Sequence, residues 1–259
     1  MTQGLLNALR YIQNVVRKIP FEADEEKAKK WLIQIFEDFI ELKIIYQREA
    51  IKDSVHKASL LKEGDTILTF ECGFLLEEII YNSKVQNFKL IITGGEITNE
   101  TKMAISRLEK AGIKVEYCHI LTLQYMMKEV TKIVIQAVSV LSNGTAIGRL
   151  GTAQMACIAK YFNKSVIVIC ESYKLSEEVV LESIPVLSNF LGDPRELLGH
   201  SQLINVKSPI LLAYNPLYDV TPAEDIDLII TDAGWLPPTS VLPLIKEIIK
   251  HDEKIKYSE

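Results

Sequence analysis

The chain is 259 residues long, 48% hydrophobic and 24% charged, with a formal net charge of −5. This length and balance allow a sizeable buried core, in one large domain or two modest ones, and exclude a disordered tail or a collagen-like chain. The acidic balance argues against direct nucleic-acid binding, because neutralising phosphates calls for a basic surface. The first 60 residues read as helix. Leu5, Leu9, Ile12, Val16 and Ile19 recur at three-to-four-residue spacing, and Pro20 ends that segment. Asp24 is placed to cap the next helix, with Lys27 where a capping box wants Glu. Trp31, Ile35, Phe39 and Leu42 then form an apolar stripe, extended by Ile45, Ile51, Val55 and Ala58. These segments predict a small antiparallel helical domain, residues 1–62, ending at the turn Lys62-Glu63-Gly64-Asp65.

Beyond that turn, short β-type runs alternate with helical ones. The expected strands are Thr66–Phe70, Lys89–Thr93, Ile113–Cys118, Ile133–Leu141, Ser165–Cys170, Ile210–Tyr214 and Asp227–Ile230. The expected helices are Phe74–Tyr81, Asn99–Ala111, Leu123–Val130, Gly151–Tyr161 and Pro238–Ile249. The runs Ile67-Leu68, Leu90-Ile91-Ile92 and Val166-Ile167-Val168-Ile169 are continuously apolar, as strands buried on both faces must be. Alternation with double burial predicts an α/β fold: the N-terminal helical domain, then a Rossmann-like, mostly parallel sheet with helices on both faces over residues 63–259.

No stretch approaches the roughly 18 apolar residues that cross a bilayer. The first apolar segment, Leu5 to Ile19, is broken by Asn7, Arg10, Gln13, Asn14, Arg17 and Lys18. A cytoplasmic protein without membrane contact is expected. Cys72, Cys118, Cys157 and Cys170 form no Cys-x-x-Cys pair, so they read as structural thiols. His56, His119, His200 and His251 lack ligand spacing, and neither a metal nor a cofactor is expected. Asn99, Asn143 and Asn163 begin Asn-x-Ser/Thr tripeptides, which without a secretory signal are chance matches.

Ligands of such sheets bind beyond the carboxyl ends of strands. The run Ser142-Asn143-Gly144-Thr145-Ala146-Ile147-Gly148-Arg149-Leu150-Gly151-Thr152 leads from an expected strand into an expected helix. Glycines admit close backbone approach, a helix N-terminus favours an anion, and Arg149 could clamp a phosphate. Asn143, Gly144, Arg149, Gly151 and Thr152 are therefore the candidate pocket residues. The alternative is plain turn geometry, since neither a dinucleotide fingerprint nor a Walker A sequence is present. At Glu71-Cys72-Gly73, Cys72 is either an activated thiol at a helix start or a small buried residue. Thr93-Gly94-Gly95-Glu96 offers one carboxylate and no cation. Asp193-Pro194 reads as a turn starting a helix. Trp235-Leu236-Pro237-Pro238 is either a core plug or a partner surface.

The segment Asn143-Gly144 through Arg149-Leu150-Gly151-Thr152-Ala153-Gln154 resembles a known family. It holds the alpha, beta and delta regulatory subunits of eukaryotic translation initiation factor 2B, and the methylthioribose-1-phosphate and ribose-1,5-bisphosphate isomerases. The similarity continues through Cys170-Glu171-Ser172-Tyr173-Lys174-Leu175, Gly192-Asp193-Pro194, Leu217-Tyr218-Asp219-Val220-Thr221-Pro222 and Leu236-Pro237-Pro238-Thr239-Ser240-Val241. Within the family, Gly148 to Gln154, the Cys-Glu-Ser-Tyr-Lys run, the Asp-Pro turn and Asn7 to Ile12 look most like delta. Delta chains carry a further N-terminal stretch, so a shortened version is expected.

The resemblance implies a non-catalytic regulatory subunit of the guanine-nucleotide exchange factor for initiation factor 2. It would scaffold the complex and sense the phosphorylated substrate factor. The implied partners are a beta-like regulatory chain, the catalytic subunits, and the GTP-binding factor through its alpha subunit. The interface is expected around Tyr173, Lys174, Tyr218, Asp219 and Trp235. The family's isomerases place a cysteine at the first strand end, where Glu71 falls without a gap and Cys72 with one insertion. They place an aspartate after Asn-Gly, where Thr145 stands, and an acidic-x-Arg-Pro segment where Thr93 to Glu96 lacks Arg and Pro. No catalytic residue is therefore expected. The rivals are a divergent sugar-phosphate isomerase and a non-catalytic sensor of phosphosugars or nucleotides.

Overall fold

The structure, a computed structural model, describes residues 3–85, 87–179, 191–193, 196–197 and 214–254. Helix α1 spans Gln3–Val16 and α2 spans Glu25–Asp38. Asp24 caps α2, its carboxylate accepting the Lys27 amide at 3.2 Å. The chain then runs without a break through a π-helical stretch, Phe39–Ile45, into α3, Tyr46–Lys57. None of the residues of α2 or the π-helical stretch is buried, whereas Gln47, Ile51 and Val55 of α3 are.

The sheet begins at β1, Thr66–Phe70, followed by α4, Phe74–Tyr81, and β2, Lys89–Gly94. Next come α5, Asn99–Lys110, β3, Lys114–His119, and a short α6, Leu123–Met126. The apolar run at Ile133–Leu141 is not one strand. It divides into β4, Lys132–Gln136, and β5, Ser139–Leu141. The division is set by partners: the Ala137 amide still bonds Ile169 in the main sheet, while the Val138 amide turns to Ile147. Strand β6, Ala146–Arg149, returns antiparallel to β5, so the glycine-rich segment is a hairpin before it reaches α7, Thr152–Tyr161.

The remaining elements are β7, Ser165–Ile169, β8, Leu175–Ser176, β9, Tyr218–Thr221, β10, Leu228–Thr231, β11, Gly234–Leu236, and α8, Val241–Glu253. Of the expected strand Ile210–Tyr214 only Tyr214 lies among the described residues. Pro194 and His200 also lie outside them, while the Asp193 carbonyl accepts the Glu196 amide at 3.1 Å, as a turn there requires.

The main sheet has the order β11-β10-β7-β4-β1-β2-β3, and every pairing in it is parallel except β10 with β11. Alternate residues face opposite layers. Ile67, Leu90, Ile92, Val134, Ile167, Ile169 and Ile230 pack with residues of α3, α4 and α5. Leu68, Ile91, Ile133, Ile135, Val166, Val168 and Ile229 pack with residues of α6, α7 and α8. The doubly covered sheet explains why these strands are continuously apolar. A second sheet, β8-β5-β6-β9, stands beside the first.

Candidate functional site

In an open sheet of this order the ligand crevice lies where crossovers leave in opposite directions. Here the chain builds outward from β1 to β2 and β3, then returns to place β4 on the other side of β1. A cleft of about 540 Å³ opens at that point, walled by Glu71, Cys72 and Gly73 after β1 and by Gln136 at the end of β4. Glu100 and Arg107 of α5, with Arg149, Thr152, Tyr173 and Lys174, complete it.

The start of α4 is where an anion would meet backbone amides. Gln136 occupies that place: its side-chain oxygen accepts the Leu76 amide at 3.4 Å. Gly73 is required by this contact, since a Cβ there would stand 2.3 Å from the same oxygen.

Each cation around the cleft stands beside a carboxylate. Arg107 grips Glu77 with both arms of its guanidinium, Nη2 lying 2.8 Å from Oε2 and Nε bonding Oε1. Arg149 lies 4.0 Å from Glu71 and 3.6 Å from Glu100. Lys174 sits 2.6 Å from Glu171, whose carboxylate is 1% exposed. Arg48 approaches the same carboxylate at 3.9 Å, with its guanidinium over the Phe74 ring.

Glu71 holds φ +43°, one of three non-glycine residues in the left-handed region among the described residues. Such a conformation is strained and persists only where the surroundings impose it. Burial raises the Glu71 carboxyl above its ordinary range; Arg149 draws it partly back and Glu100 adds to the rise. Burial likewise pushes the Cys72 thiol up to about 12, with Glu77 adding to the rise and Arg107 opposing it. A thiol protonated at neutral pH is a poor nucleophile.

The glycine-rich segment is split between two places. Arg149 and Thr152 line the cleft. Asn143 and Gly144 form the tip of the β5–β6 hairpin, where Gly144 has φ +81° and a Cβ would lie 2.6 Å from the Pro238 carbonyl oxygen. Thr145 is buried in that hairpin and is not a cleft residue. Gly151, at φ +113°, is pressed against Phe70 and Ile120, which is why only glycine fits the entry to α7.

Of the residues expected at an interface, Tyr173 and Lys174 are half-buried on the turn after β7 and wall the cleft. Tyr218 is half-buried on β9, in register with Arg149. Trp235 is half-buried on β11 and donates to Ser54 Oγ at 2.8 Å. Asp219 is buried within the chain, where its Oδ2 accepts the Gly151 and Ala153 amides at 2.7 and 2.9 Å and so caps α7. Its Oδ1 is buried without a partner.

Sequence reasoning did not reach Gln136, the Glu77–Arg107 pair or the cap by Asp219. Each joins residues at least 30 positions apart, so no local spacing marks them. Among the described residues no three His, Cys, Asp or Glu cluster to hold a metal ion. No helix among them is long and apolar enough to cross a membrane.

These features define an open α/β protein of nucleotide-fold order whose switch-point cleft is lined by paired charges. The initiation factor 2 subunit family matches residues 2–238, and the chain belongs to it. It is 35% identical over 255 residues to translation initiation factor eIF2B subunit delta of Dictyostelium discoideum, covering 94% of this chain and 40% of that one. It is 28% identical to the delta subunit of Schizosaccharomyces pombe, covering 93% and 53%. The chain thus spans about half or less of the length of both delta relatives. Ribose 1,5-bisphosphate isomerase of Pyrococcus furiosus is 30% identical over 250 residues, covering 94% and 74%. A solved structure of the tetrameric eIF2B-beta2-delta2 complex from C. thermophilum superposes with TM-score 0.76 at 22% identity, covering 90% of this chain and 70% of that chain. That likeness shows the fold.

Proposed function

We propose that this chain is a delta-like, non-catalytic regulatory subunit of the guanine-nucleotide exchange factor for translation initiation factor 2. The similarity to two delta relatives along 94% and 93% of the chain carries the reading. In this role the chain scaffolds the assembly, paired with a beta-like regulatory chain and holding the catalytic subunits. It contacts the GTP-binding factor through that factor's alpha subunit and senses its phosphorylation. The surface around Tyr173, Lys174, Tyr218 and Trp235 is the proposed meeting point, with exposed Leu150 and Leu217 beside Tyr218 adding apolar area, while buried Asp219 supports it from within by capping α7.

The cleft supports a non-catalytic role. Its thiol stays protonated, Thr145 is turned into the hairpin, and its cations are already matched by Glu71, Glu77, Glu100 and Glu171. A second reading, sugar-phosphate isomerisation, draws on the 30% identity to the Pyrococcus enzyme.

Co-expression with a beta-like regulatory chain, followed by analytical ultracentrifugation, tests the proposal. Stoichiometric assembly with that chain, and no turnover of ribose 1,5-bisphosphate at high protein concentration, are expected. A homo-oligomer that ignores the regulatory chain would overturn the scaffold role. Turnover abolished by Cys72→Ser would establish the isomerase instead.

A further inference from the structure

A second cavity, of about 520 Å³, lies between the first and last helices and meets the charged cleft at Tyr173, which lines both. Val15, Phe39, Ile245, Ile248 and Ile249 give it an apolar lining. The isoleucines stand three and four residues apart on α8 and so share one face. The opposite wall is polar. Tyr11, Asn14 and Arg17 follow at three-residue spacing along α1 and its end, all lining the cavity. Neither the Asn14 amide nor the Arg17 guanidinium has a partner among the described residues.

One end is closed by a clasp. Lys18 Nζ donates to the carbonyls of Asp252 and Glu253 at 3.0 and 3.2 Å, and Lys43 Nζ lies 2.9 Å from Asp252 Oδ1. These contacts commit both lysines and neutralise Asp252. Arg10 pairs with Glu178 at 3.6 Å. Arg17 is then the uncommitted cation at the rim. A cavity of a few hundred Å³ with an apolar body and a small set of convergent polar groups is the usual form of a small-ligand site. Here donors stand at one edge with aliphatic side chains behind them, and the other carboxylates that line the cavity, Glu177 and Glu253, belong to exposed residues.

We propose that this cavity binds an aliphatic carboxylate, with the hydrocarbon chain against the isoleucines of α8 and the carboxylate on Arg17 and Asn14. A guanidinium presents two parallel donors to a carboxylate, which is the geometry this head group takes. Apart from Tyr173 the site differs from the switch-point cleft in residues, and it differs in ligand chemistry, so its test is independent of the regulatory-subunit reading.

The test is calorimetric titration of the full chain with sodium octanoate, decanoate and dodecanoate. Binding at one site is expected, tightening about tenfold for each two added methylenes until the cavity is filled. Decanol, which lacks the anionic head, should bind decanoate's site at least tenfold more weakly. Arg17→Glu, at an exposed position, should weaken decanoate at least tenfold while the melting transition is unchanged. Ala8→Phe, which fills the cavity from α1, should abolish binding. No heat with millimolar decanoate would overturn the proposal, as would equal binding to the Arg17→Glu protein or equal affinity for decanol.

Discussion

Replacing Asp219 by Asn should remove a pH dependence that one buried carboxylate imposes on the whole fold. Asp219 is 8% exposed, and burial raises its carboxyl to about 6, from an ordinary value of 3.8, against the opposing pull of the Gly151, Thr152 and Ala153 amides. A carboxyl raised on folding binds its proton more tightly in the native state. Its contribution is therefore greatest below the unfolded value and is lost as pH rises through about 6. The shift corresponds to about 3 kcal/mol in total, of which about 1 kcal/mol falls between pH 5 and pH 7. Asn keeps one oxygen for the α7 amides and cannot ionise. Urea unfolding of both proteins across that range should show the wild type losing about 1 kcal/mol relative to Asp219→Asn as pH rises. A difference that grows in favour of the wild type would refute the reasoning. It would mean that two short amide bonds and the helix dipole outweigh burial.

Gly151→Ala should cost about 2–4 kcal/mol, because φ +113° is strained for alanine and the new Cβ would lie 2.5 Å from Phe70. Denaturant midpoints check this, and an unchanged midpoint would show that the entry to α7 relaxes freely. A thiol reagent at pH 7.5 should label exposed Cys157 rapidly, while Cys72 and Cys170 react only on unfolding, since both are buried and both thiols are raised. Peptide mapping of the labelled protein decides it, with fast native labelling of Cys72 the contrary result.

The central sheet was legible because its strands are buried on both sides. Continuous apolar runs at Leu90–Ile92 and Val166–Ile169 suit strands covered on both faces, and the helices between them set parallel pairing. The break between β4 and β5 was not legible. Ile133 to Leu141 carries no glycine, proline or charge, and the turn at Ala137–Val138 is dictated by amides choosing different neighbours, Ile169 and Ile147. The same switch turned a supposed strand-to-helix loop into a hairpin, separating Asn143 and Gly144 from Arg149. Strands β9 and β11, of four and three residues, are too short for alternation to register. Arg149 was found from its place before a helix, but its carboxylate partners lie just after β1 and on α5. A candidate phosphate clamp in the sequence is thus an ion-paired residue in the fold.

The pairing at Arg149 has a consequence that phosphate itself can measure. Glu71 is the half-buried partner at 4.0 Å, while the side chain of Glu100 is 87% exposed and weakened by water and salt. An added phosphate must therefore displace or tolerate Glu71 to reach the guanidinium. Glu71→Gln removes that charge and retains a side chain of similar size on the same strained backbone. At constant ionic strength, 10 mM phosphate should leave the wild-type melting temperature unchanged and raise that of the variant. If the freed site holds phosphate with a Kd of about 1 mM, the gain is about 1.4 kcal/mol. For a chain of this size that is a rise of about 3–5 °C. An equal rise in the wild type would show that the carboxylate does not keep anions out, and the phosphosugar-sensing rival would regain its site. An unresponsive variant would place the barrier at Gln136, which already holds the start of α4, rather than at the charge pair.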